Sequence, residues 1–194
     1  MAFGGEINHR YANEMKTYIA LLRGINVGGQ KILPMSELAS MLENISLRNV
    51  ETYVQSGNVV FQSEETNVSL LADTIRAAIK KSRSFEPQVL LLEPREIEKA
   101  VRENPFPEAE SEPKTLHLFF LSSEPRSPDL DALESIKSSR ERFTLKDSVF
   151  YLHAPDGIGR SRLAANAEKL LGVPMTGRNW RTVRKIMEMA QLSG

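Results

Sequence analysis

Three groups of residues in the chain could do recognition chemistry. The first is Arg23-Gly24-Ile25-Asn26-Val27-Gly28-Gly29 and the second is Ser56-Gly57-Asn58. The third joins Gly157-Ile158-Gly159-Arg160-Ser161 to Arg178-Asn179-Trp180-Arg181. Glycines let successive backbone amides converge on one anion, and a helix that follows adds the positive end of its dipole. Guanidinium groups bind phosphate or carboxylate through paired N–H donors. The residues expected to bind such a ligand are Arg23, Gly24, Asn26, Gly28, Gly29, Ser56, Gly57, Asn58, Arg160, Ser161, Arg178 and Asn179. The GxxxxGK[ST] phosphate loop and the GxGxxG dinucleotide fingerprint are both absent.

Each group also has a plainer reading. Gly24 to Gly29 is equally a wide strand-to-helix turn whose glycines supply positive φ. Ser56-Gly57 is an ordinary hairpin turn. Asp156 would then pair with an arginine, Asn179 would cap a helix and Trp180 would pack in the core.

Other chemistry is constrained by composition. There is no cysteine, which removes disulfides, thiol catalysis and cysteine metal sites. The three histidines lack HxxxH or HExxH spacing, and His117 and His153 both read as strand residues. No GxSxG elbow occurs. No reaction and no cofactor is assigned. A phosphotransferase-like or hydrolytic activity would need a base near the glycine loops, and Glu37, Glu51 and Asp156 are the acids placed to try.

The elements that must position these residues follow from periodicity. Thr17 to Arg23 is a buried strand, and Met35, Leu38, Met41, Leu42 and Ile45 recur at helical spacing. Strands follow at 50–55 and 58–62, then a helix capped by Asn67, a strand at 88–92 and a short helix at 95–102. The stretch 104–113, with three prolines and three glutamates, reads as a solvated connector. The pattern then repeats: strand 115–121, helix 128–138, hairpin strands 142–146 and 149–153, helix 161–171 ended by Gly172, strand 174–178 and helix 179–191.

The order β-α-β-β-α-β-α occurs twice. This predicts an α+β fold of two tandem ferredoxin-like halves, each with sheet order 4-1-3-2. The halves are expected at 15–103 and 114–194, with residues 1–14 as an upstream extension. In such a sheet the end of the first strand and the start of the third share an edge, so Arg23 to Asn26 would neighbour Ser56 to Asn58. Arg23 continues the apolar face of Ile19 and Leu21 and therefore needs a partner. That partner is an internal acid such as Glu37 or Glu51, or a bound anion. In the second half Arg160 and Arg178 are expected to converge beside two helix N-termini.

The blocks ALLRGINVGG (20–29), PMSEL (34–38), TYVQSGNVVF (52–61), NPFP (104–107), PDGIGRSRLA (155–164) and TGRNWRTVRKI (176–186) resemble the DUF1697 family of bacterial proteins. The resemblance spans nearly all of 15–190 and implies the same tandem ferredoxin-like fold, with no established activity. It emphasises the site residues named above together with Trp180. Gly177 departs from the family pattern, which leads one to expect a small residue such as alanine or serine there.

The 25 Lys/Arg balance 25 Asp/Glu. A neutral chain is a poor coat for nucleic acid or an acidic membrane, but the balance is uneven along the sequence. Residues 86–112 carry eight Glu against three Lys/Arg, while 157–185 carry seven Lys/Arg against one Glu. The reading is a cytoplasmic protein that binds a small phosphate- or carboxylate-bearing ligand, a nucleotide or nucleic-acid end included. No membrane partner is expected. The alternative is an interaction or assembly module, whose oligomeric state the sequence does not set.

Overall fold

Strand β1 (Lys16–Arg23) is apolar at consecutive positions because both of its faces are covered. The computed structural model describes residues 14–193. All but Glu14 of the expected extension over residues 1–14 lies outside the described residues. The first half continues through α1 (Met35–Asn44), β2 (Arg48–Tyr53), β3 (Asn58–Ser63), α2 (Val68–Arg83), β4 (Gln88–Leu92) and α3 (Pro94–Arg102). The second comprises β5 (Leu116–Leu121), α4 (Leu130–Ile136), β6 (Arg142–Lys146), β7 (Val149–His153), α5 (Arg162–Leu171), β8 (Met175–Asn179) and α6 (Trp180–Leu192). The two antiparallel sheets have the orders β2-β3-β1-β4 and β6-β7-β5-β8. These are the split β-α-β arrangement that the element order predicts.

The elements end where local chemistry stops them. Val54 takes φ +49°, a left-handed conformation rare for a β-branched residue, so β2 stops at Tyr53 rather than at Gln55. Asn67, Asp129, Ser161 and Asn179 each accept a backbone N–H at the start of a helix. Gly172, at φ +73°, closes α5.

Each half buries its helices on one sheet face. Leu38, Leu42, Leu71, Ile75 and Ile79 cover Tyr18, Ala20 and Leu22 of the first sheet. Leu163, Ala167 and Leu171 cover Phe119, Phe150 and Leu152 of the second. The other two faces meet each other. Ile19, Leu21, Val60 and Leu92 share one buried cluster with Leu116, Leu118, Phe120 and Tyr151, flanked by Ile97 and Ala100 of α3 and by Trp180, Val183 and Ile186 of α6. Burying a side chain of this size is worth about 1.5–3 kcal/mol, so the central cluster ties the halves firmly together.

The 104–113 stretch departs from the expected solvated connector. Residues Pro107–Ser111 form a 3-10 turn, and Phe106 and Ala109 enter the central cluster. The Arg142 guanidinium lies 4.8 Å from the Phe106 ring and also pairs with Glu108.

Candidate functional site

Arg178 lies on the inner face of β8, opposite Leu118 of β5. It is 8% exposed and contacts the first half. Its Nε donates to the Asn58 side chain, and its Nη2 donates to the Leu22 and Ser56 carbonyls at 2.8 and 3.0 Å and, more weakly, to Gly57 at 3.4 Å. Nη1 donates to its neighbour Gly177 at 2.8 Å. All five acceptors are uncharged oxygens. Burial alone pushes this guanidinium down to about 10, so it stays charged at neutral pH. The expected ligand arginine is an internal pin between the halves.

The first-half loops are tied to the same pin. Asn58 donates to Tyr53 O at 2.8 Å and to Ser56 Oγ at 3.0 Å. Asn26 donates to Leu33 O and Gln55 O and accepts from Leu33 N, at 2.8–2.9 Å. The side chains of Asn26 and Asn58 are therefore bonded within the chain. Gly57 is required by packing: a Cβ there would lie 2.7 Å from Leu22 and Ile25 atoms, and its φ is +74°. Gly28 and Gly29, both at positive φ, form the tip of a short hairpin closed by Gln30 N to Val27 O at 3.0 Å. Gly24, at φ +79°, leads into it. This hairpin stands where an amide nest was expected, and it exposes Val27 and Ile32.

Arg23 finds an internal acid, as one of its two expected alternatives, but the acid is Glu168 of α5 rather than Glu37 or Glu51. Arg23 also donates to Gln88 Oε1 at 3.2 Å and Met175 O at 3.0 Å. Glu37 is engaged instead by Arg83. Sequence reasoning missed Glu168 because the partner lies 145 residues away, across the junction of the halves.

Arg160 and Arg178 do not converge. Arg178 faces the first half, whereas Arg160 lies with Ser161 and Arg162 at the start of α5, beside a groove of about 420 Å³. Lys137, Ser138, Glu141 and Asp156 line its other side. Ser161 Oγ accepts the Ala164 N–H at 2.9 Å, and its hydroxyl hydrogen remains to donate. Asp156 is held by Arg140 and Lys137 by Glu134. Arg160 and Arg162 form no ion pair among the described residues. Asn179 caps α6 through Thr182 N at 2.9 Å, and Trp180 is buried.

The central cluster also closes a route that single ferredoxin-like sheets leave open. The sheet faces free of α1, α2, α4 and α5 are buried against each other, so neither can serve as a stacking platform for bases. Among the described residues, no three His, Asp or Glu side chains gather as a metal site would need. None of the described helices is long and apolar enough to cross a membrane.

Two tandem split β-α-β sheets packed face to face, joined by a buried arginine, define a duplicated ferredoxin-like α+β protein. The chain belongs to the family described as Protein of unknown function (DUF1697), whose model matches residues 15–151. Its structure is similar to that of the conserved bacterial protein SP0830 from Streptococcus pneumoniae. The two are 28% identical, with a TM-score of 0.65 over 91% of this chain and 99% of that one. No curated protein matches the chain.

Proposed function

We propose that the protein binds a small phosphate- or carboxylate-bearing ligand at the start of α5, in the groove between α4 and α5. The observation that carries this reading is the pair Arg160 and Arg162, without ion-pair partners among the described residues, on either side of the N-cap Ser161. A ten-residue helix presents the Arg162 and Leu163 amides there, and two guanidinium groups beside them suit one anionic group. Arg23, Ser56, Gly57, Asn58 and Arg178 support the reading only indirectly, through the bonds that hold the second half against the first, and Gly24, Asn26, Gly28, Gly29 and Asn179 take no part in this groove. Of the seven Lys/Arg in residues 157–185, Arg160 and Arg162 line this groove, and Lys137 adds a third cation from its other side.

The test is an NMR titration with inorganic phosphate, adenosine monophosphate and a 5′-phosphorylated oligonucleotide. Saturable shifts of the Ser161, Arg162 and Leu163 amides are expected, and they should vanish in the Arg160→Ala, Arg162→Ala double variant. Arg178→Ala should retain the shifts but unfold more easily, by about 3 kcal/mol, since it strands buried carbonyls. Shifts that are absent, or that persist in the double variant, overturn the reading.

A further inference from the structure

We infer that the free edge of β4 is a docking site for an extended, basic-flanked peptide segment of a partner protein, which adds as a fifth strand. The register shows which main-chain groups are available. Leu22 N donates to Gly57 O at 2.8 Å, so Leu22 points its backbone towards β3. Leu21 and Ile19 therefore point towards β4, where they pair with Leu90 and Leu92. The N–H and C=O groups of Val89 and Leu91 consequently face outward, and neither residue makes a further backbone hydrogen bond among the described residues.

The equivalent edge of the second half is treated differently. By the same register the groups of Met175 and Gly177 face outward on β8. Glu168 accepts Met175 N at 3.2 Å, Arg23 donates to Met175 O at 3.0 Å, and Arg178 donates to Gly177 O at 2.8 Å. The chain thus caps one pseudo-equivalent edge with three side chains and leaves the other bare. The remaining edges are blunted by other means: β2 carries a bulge with Arg48 and Glu51, and β6 is bounded by Arg142 and Lys146. Strand β4, Gln-Val-Leu-Leu-Leu, has neither charge nor bulge.

A groove runs beside this bare edge. One hollow of about 350 Å³ adjoins Leu90 to Leu92, and another of about 210 Å³ adjoins Gln88 to Leu90. They share Leu90, Phe120 and Ser122, so a chain laid along β4 would pass from one to the other. The larger hollow is rimmed by Glu96, Glu103, Glu124 and Asp147; Lys99 pairs with Asp147 and Lys146 with Glu103, which leaves Glu96 and Glu124 as the acidic surplus that fits a lysine or arginine flank. Walls from α3 and the end of β5 stand beside the edge, while the Leu91 side chain turns into the core under α1 and α2. A single extended segment can enter; the β4 of a second copy, with the same walls beside it, cannot. Main-chain bonds would supply affinity, and the two hollows would select alternate side chains.

The probe is a fluorescently labelled, end-blocked peptide Lys-Val-Ser-Val-Ser-Lys titrated against the full chain. Saturable binding is expected, together with slowed hydrogen exchange at Val89 and Leu91. N-methylation of alternate residues should abolish binding in one parity and spare it in the other, because only one parity donates to β4. Leu91→Pro removes an outward N–H that β1 does not use, and should weaken binding about tenfold. The inference is overturned if both methylation parities bind alike, or if Val89 and Leu91 amides are already protected in the isolated monomer. It is also overturned if light scattering shows a dimer that the Leu91→Pro substitution dissociates.

Discussion

His117 and Arg178 are buried polar side chains held in opposite ways. Arg178 satisfies its donors on carbonyls of both halves, whereas His117 leaves Nδ1 buried without a partner. Burial pushes the His117 imidazole below its ordinary value, against a smaller opposing influence of the nearby Thr115 backbone. The folded state therefore takes up its proton later than the unfolded chain does. Its contribution to stability is whole above the unfolded value, about 6.5, and is lost as pH falls towards the depressed folded value. His117→Phe should flatten the loss of stability between about pH 6.5 and 5, read by urea denaturation across that range. His153 shifts the same way, chiefly from burial and then from Arg142, so some slope should survive in the variant. At this scale the sequence is a partial guide. It marks Arg23 as a residue that needs a partner, but the identity of Glu168 depends on a junction that local pattern does not encode.

At the scale of elements, caps and strands were plainly legible, because their signals are local. Asn67, Ser161, Asn179 and Gly172 do what their residue types require at a helix end. The hairpin of β6 and β7 turns at Asp147-Ser148, with Asp147 at φ +49°. The covering of strands by distant elements was less legible. Gly177 illustrates this: a Cβ there would stand 2.6–2.7 Å from the Phe119 ring on the adjoining strand. Its smallness makes room for that aromatic side chain. Gly177→Ala should cost about 1–3 kcal/mol through overpacking. Phe119→Leu in the same chain should recover part of the loss, as a thermal melt of the single and double variants would show. Failure of the second change to help would mean that the backbone at Gly177 matters more than the ring.

For the whole molecule, the two halves share one core. The sequence held a signal for this, since Tyr18 to Leu22 and Leu116 to Leu121 are apolar at every position except His117, as strands covered on both faces are. Periodicity alone does not say what covers the second face. Because Ile19 and Leu118 belong to one cluster, unfolding should be a single transition. Fluorescence of the buried Trp180 and far-ultraviolet circular dichroism should give coincident denaturation curves; separated midpoints would mean that the halves unfold independently. Helix α6 adds a temporal constraint. It closes the inner face of the first sheet, and Ser193 O receives Thr17 Oγ1 at 3.1 Å and the Gln62 side chain. The first-half strands therefore cannot finish their core until residues 180–193 have emerged. A nascent chain carrying only the first half presents Ile19, Leu21 and Val60 as a bare apolar face throughout that interval, which makes translation speed and chaperone access part of how this protein reaches its native state.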